Sequence, residues 1–117
     1  MSSRPETYLP LSALDFQVLA VLVSGPLHGY AIVQEAQRQF PDQPPLEIGS
    51  LYRIISRMLD DVLFEEVAKP EEVPESRRKR RFYKATDLGH AVLRAEADRV
   101  RSLLAVADGM DLKGVSR

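Results

Sequence analysis

Ser50, Tyr52, Arg53, Ser56 and Arg57 fall within one short stretch of the chain, Ile48 to Asp61. At about 100° per residue along a helix these five share one side with Asp60, while Leu51, Ile54, Ile55, Met58 and Leu59 take the other. Two guanidinium groups, two hydroxyls and a phenol on one face suit hydrogen bonding to a polyanion. Arg53 or Arg57 could take a guanine edge bidentately. Taken alone, the same residues fit an ordinary amphipathic helix with a solvated face equally well.

A second cluster changes the balance. Arg77, Arg78, Lys79, Arg80, Arg81 and Lys84 put six cations and no acid into residues 77–84. As an isolated feature this run would read as a solvated loop offsetting the acids just before it. Placed behind a Tyr/Arg helix it reads as a phosphate-binding segment, which adds affinity but little sequence information. The net charge of the 117 residues is only −1, yet residues 1–76 carry −7 and residues 85–117 carry zero. The positive charge is gathered in one place, and the acidic remainder would repel a duplex approaching elsewhere.

Other chemistry finds little footing. His28 and His90 are the only histidines and lie far apart in sequence, and there is no cysteine. No nucleophile elbow, phosphate loop or His-Glu-x-x-His motif occurs, so neither catalysis nor a metal or other cofactor is expected. His28, at a helix start, reads as a capping or turn residue. The paired acids Glu65/Glu66 and Glu71/Glu72 read as surface carboxylates. A hydrophobic content of 44% and a charged content of 28% fit one globular domain. No apolar run approaches the ~18 residues of a membrane span, and the N-terminus lacks the apolar core of a signal peptide. Without cysteine, a reducing, cytoplasmic setting is the simple expectation.

The elements that must position the two clusters follow from period and punctuation. Residues 1–10 read as a loosely held arm, broken by Pro5 and Pro10. Ser12 and Asp15 fit a capping box opening a first helix with an apolar stripe of Leu14, Val18, Val21 and Leu22, stopped by Ser24-Gly25-Pro26. A second helix is expected from about Gly29 to Phe40, ended by Pro41, and a stiff Pro41–Pro45 connection follows. The third helix should take Gly49-Ser50 as its N-cap. The period then drops to 2. Val62–Val67 and Arg80–Thr86 read as a two-stranded hairpin with a long, mobile tip, Tyr83 and Ala85 facing the core and Phe82 and Lys84 facing away. Thr86-Asp87 caps a last helix running to about Ala107, a rod of ~32 Å. Its far half would expose Val100, Leu103, Leu104 and Ala107 in a single subunit, which predicts a second copy of the same helix as partner.

Helix, helix, helix, strand, strand, helix with a basic hairpin is the order of a winged helix-turn-helix: mainly α with a small β-hairpin and a long C-terminal dimerisation helix. The expected units are an arm (1–10), a DNA-binding domain (11–86), a dimerisation helix (87–108) and a flexible tail (109–117). Such a domain lays its third helix in the major groove of double-stranded DNA and its wing along the adjacent backbone. An adaptor that kept the scaffold but binds protein is the alternative; pairing of the wing arginines with Glu71, Glu72 and Glu75 would favour it.

Four pieces of the chain resemble the PadR-like transcriptional regulators: Leu11–Phe16, Gly25–Tyr30, Gly49-Ser50-Leu51-Tyr52-Arg53 and Arg81–Gly89. Each alone is weak, but their order makes the resemblance specific over roughly residues 9–107. It implies a homodimeric repressor on a pseudo-palindromic operator, with a short C-terminus like that of compact members. It also implies a small aromatic or lipophilic effector near the dimer interface. A pocket is expected where the first helix meets the last, lined by Leu14, Phe16 and Val18 and by Val92, Ala95 and Arg99. The chain departs from the family pattern at Asp61-Val62, where a glycine is usual, so the third helix is expected to end differently.

Overall fold

The serine that opens the first helix does what its position predicts. In the computed structural model, which describes residues 4–76, 79–110 and 112, the Ser12 hydroxyl accepts from the Asp15 N–H at 3.1 Å. It starts α1 (Ala13–Leu22), which buries Val18, Leu19, Val21 and Leu22. The Asp15 carboxylate does not reach back as a capping box would; it turns to Arg57. Gly25, at φ +154°, takes the turn out of α1, a conformation open to glycine and strained for other residues.

Leu27–His28 then forms a strand, β1, that the expected two-stranded hairpin lacks. It is too short to show a period of 2, and only its partner across the fold defines it. The His28 Nδ1 accepts from the Ala31 N–H at 3.2 Å and caps α2 (Gly29–Gln39), the role expected of it. The proline-rich connection ends at buried Leu46, which pins the entry to α3 (Ile48–Asp60). The helix therefore starts earlier than Gly49-Ser50 suggests. Glu47 is the N-cap and makes no side-chain cap bond, so Ser50 sits inside the first turn.

The exit from α3 is the strained point of the backbone. Val62, 60% exposed, sits at φ +59°, a left-handed conformation that costs an L-residue about 1–2 kcal/mol. The reverse turn needs it: the Leu63 N–H donates to the Met58 carbonyl at 2.9 Å and the Val62 N–H to that of Leu59 at 3.1 Å. Thr86 clamps the other side, its hydroxyl donating to the Val62 carbonyl at 2.6 Å. The helix keeps the turn usual for glycine and carries a valine in it.

Strands β2 (Phe64–Val67) and β3 (Phe82–Ala85) are shorter than the expected spans, and the sheet order is β1-β3-β2, all antiparallel. Tyr83 and Ala85 face the core as expected. Phe82 does face the other way, but it is buried, its ring edge-on to His28 at 5.4 Å. The chain after β2 folds back beside it: Lys69 Nζ donates to the Pro70 and Val73 carbonyls and lies 3.5 Å from Glu75. Part of the expected mobile tip is thus a closed turn.

Thr86 caps α4 (Asp87–Asp108) by accepting from the Gly89 N–H at 3.0 Å. A Cβ at Gly89 would run into the Leu63 carbonyl oxygen, so glycine lets the helix start against the sheet. The first half of α4 buries Gly89, Val92 and Glu96. Residues 5–8 are not the expected loose arm: they form a 3-10 turn along α4, with Tyr8 and Leu9 packed on the core. The far half leaves Val100, Leu103, Leu104, Val106 and Met110 exposed, with Ala107 half-buried. Among the described residues no helix is long and apolar enough to cross a membrane.

Candidate nucleic-acid interface

Leu51, Ile54, Ile55 and Met58 anchor α3 in the core, and this orients everything on its outer side. Gly49, Arg53, Ser56 and Asp60 form the central outward ridge by helical spacing, and all four are exposed. Arg53 Nη2 donates to the Ser50 hydroxyl at 3.3 Å, so Ser50 steadies the arginine rather than capping the helix. The other two predicted contacts flank this ridge on opposite sides, and each leans on a neighbouring helix. The Arg57 guanidinium pairs with Asp15 of α1, across 42 positions of sequence. The Tyr52 ring lies over Gly29 of α2, its hydroxyl 3.1 Å from where a Cβ would stand.

On the wing, Lys79, Arg80 and Arg81 are exposed, and among the described residues none of them is paired with a carboxylate. Arg80 Nη1 lies 3.2 Å and 3.3 Å from the two ring nitrogens of His28. Burial, with Arg80 beside it, pushes the His28 pKa below its usual value. Burial and nearby Glu66 push the Tyr83 pKa up, with Arg81 acting against them. The acids ahead of the basic run are not its partners: Glu75 goes to Lys69. Lys84 is exposed on the side of β3 away from Tyr83 and Ala85, as expected, and lines a separate groove with Pro26, Glu35 and Glu72. Arg77 and Arg78 lie outside the described residues.

A cleft of about 380 Å³ joins the two clusters, with Tyr30 and Tyr52 beside Lys79, Arg80 and Arg81. Sequence reasoning passed over Tyr30, half-exposed at the start of α2; its place after a His-Gly cap was the available signal.

The six residues expected to line an effector pocket are not brought together. Val18 and Val92 are fully buried in the core and Leu14 packs against it. Phe16 lines a cleft of about 400 Å³ with Gln17, Phe40, Glu96 and Val100, while Ala95 and Arg99 line another surface beside the N-terminal turn. Glu96, missed in sequence because a lone acid on an apolar helix face looks like noise, is buried and takes Arg99 bidentately at 2.8 Å. Arg99 and the Leu11 backbone hold its pKa below the usual range against the effect of burial. Among the described residues the Nε2 of buried Gln17 has no hydrogen-bond partner. Among the described residues no group of His, Asp or Glu could hold a metal ion.

No curated protein matches the chain. A PadR-like transcriptional regulator from Bacillus cereus superposes with a TM-score of 0.69 at 21% identity, over 86% of this chain and 92% of its own. A PadR family transcription regulator from Clostridium difficile gives 0.67 at 22%, over 83% and 96%. Bacillus subtilis PadR, solved in complex with operator DNA, gives 0.59 at 16%, over 78% of this chain and 48% of its own. At these identities the likeness shows the winged-helix fold. Residues 18–95 match the model of the Transcriptional regulator PadR-like family, a family of regulators and not of enzymes. With well over half its length matched, the chain belongs to the PadR-like family of transcriptional regulators.

Proposed function

We propose that this regulator is a sequence-specific DNA-binding repressor that acts in the cytoplasm as a homodimer on a pseudo-palindromic operator. One observation carries the reading. Tyr52 of α3, beside the exposed Arg53–Ser56 ridge, borders one cleft with Lys79, Arg80 and Arg81, none of which is paired with a carboxylate among the described residues. Residues 11–86 are the DNA-binding unit and residues 87–108 the dimer element, joined through Val100, Leu103, Leu104 and Ala107. Leu103 and Leu104 are more than half exposed in the single chain, an apolar surface that a second α4 would cover. Two recognition helices then sit about one DNA turn, roughly 34 Å, apart. Arg53 reads a base, and Arg57 joins it only by leaving Asp15.

A small aromatic or lipophilic effector fits best in the cleft lined by Phe16, Phe40, Gln17 and Glu96, close to Val100 and therefore to the dimer seam. The adaptor reading has the acidic body and near-neutral net charge on its side, but among the described residues none of Lys79, Arg80 and Arg81 is paired with Glu71, Glu72 or Glu75, although Glu71 and Glu75 line a cavity with Lys79 and Arg80. Selection of bound sequences from random DNA tests the proposal. A pseudo-palindrome should emerge, and log affinity should fall with log salt at a slope of about −7 for a dimer making about eight phosphate contacts. Salt-independent binding, or no enriched sequence, would refute it.

A further inference from the structure

Tyr52 belongs by spacing to the outward side of α3, but its ring does not stand straight out. It lies against Gly29 at the start of α2, and the missing side chain there is what makes room for it. Tyr52 remains 54% exposed and Tyr30, next to Gly29, is 56% exposed. Two phenols from different helices thus line one cleft together with Lys79, Arg80 and Arg81. Among the described residues no carboxylate lines it. His28 and Tyr83 also line it, and His28 meets Arg80 through its ring nitrogens, a contact that leaves the cation its charge.

We propose that this cleft is a seat for one phosphodiester group of the DNA backbone, gripped by the hydroxyls of Tyr30 and Tyr52 and the guanidinium groups of Arg80 and Arg81. Tyr52 is then a backbone contact and not a base reader. The physical case is one of matching. Phenol O–H groups and guanidinium forks donate and do not need to accept, and a phosphate offers only acceptors. A tyrosine has few rotors to freeze, so two of them hold a donor in place at small entropic cost. A base-reading side chain must instead reach along the ridge occupied by Arg53 and Ser56, from which Tyr52 is turned toward α2. The seat also ties α2, α3 and the wing to one atom group of the duplex.

This inference rests on the DNA-binding reading above, and the test separates the two. The full chain and the variants Tyr30→Phe, Tyr52→Phe and the double variant are titrated with the selected operator and with a random-sequence duplex, over a series of salt concentrations. Loss of the two hydroxyls should weaken both duplexes alike, by about 10-fold in the double variant. The ratio between duplexes and the salt slope should stay unchanged, because no charge is removed. Arg81→Ala should also weaken both alike but make the slope shallower, by about 1 for each phosphate it no longer neutralises. If Tyr52→Phe changes the ratio, Tyr52 reads bases and the proposal falls. If the tyrosine variants bind as the parent does, the seat falls and DNA binding stands. If the parent binds no duplex, both fall. Inorganic phosphate, titrated calorimetrically into the free protein, distinguishes the source of the anion. Saturation at sub-millimolar phosphate, lost in the double variant, would make this a free-phosphate site and overturn the backbone assignment.

Discussion

Helices α3 and α4 each carry an apolar stripe and a polar side, and each has one of them uncovered, but not the same one. In α3 the stripe of Leu51, Ile54, Ile55 and Met58 is fully used by the core, and what remains outside is Arg53, Ser56 and the flanking Tyr52 and Arg57. In α4 the core buries Gly89, Val92 and Glu96, with Leu88 and Leu93 packed against it, and the apolar residues beyond Val100 stay outside. The difference teaches what each surface is for. A polar helix side next to unpaired cations has an anion as its natural complement. An apolar side ending a rod longer than its own domain has another apolar surface.

The largest expected effect comes from attacking the α4 side of this contrast. Leu104→Glu should give a folded monomer in sedimentation and weaken operator binding at least about 100-fold, because two linked half-sites gain far more than either alone. A dimer that survives the charge would place the interface elsewhere. On the α3 side, Arg53→Ala should leave the oligomer intact and remove about 1–3 kcal/mol of discrimination between operator and random duplex. Competition binding measures that quantity directly, and an unchanged ratio would hand base reading to another residue.

A smaller effect sharpens the comparison at the exit of α3. Val62→Gly should relieve the left-handed strain and stabilise the fold by about 1 kcal/mol, seen as a rise of about 4 °C in the melting temperature. The glycine's greater unfolded-state freedom offsets part of the gain, so a fall in melting temperature would mean that the turn is not strained. The smallest effect concerns His28. Its folded pKa lies below the usual 6.5, so the fold favours the neutral ring. That contribution is complete above about pH 6.5 and is lost as pH falls through the lowered folded value. Asparagine in its place can still cap α2 and cannot titrate. His28→Asn should therefore have a flatter stability profile than the parent between about pH 7 and 5, measured by urea denaturation.

Much of this was legible along the chain. The two faces of α3, the Ser12 and Thr86 caps and the exposed end of α4 all follow from which residues recur every three or four positions and what punctuates them. The wing hairpin was legible as a change of period. Its third strand was not, because Leu27–His28 is too short to carry a pattern. Phe82 was expected to face outward and does face away from Tyr83, but His28 of β1 and the chain after Lys69 lie against it. The effector pocket was assembled from helix faces that do meet, but close packing at Val18 and Val92 leaves no space between them.

Composition and local period alone determined that this chain has a Tyr/Arg helix, a cationic segment free of acids and a terminal rod with an unspent apolar end. These are properties of near neighbours in sequence. Only the tertiary structure decided which of those side chains are available: Arg57 is held by Asp15, Tyr52 leans on Gly29, and Arg80 meets His28. Each of these contacts joins residues distant in sequence, so no reading of a single helix could supply it.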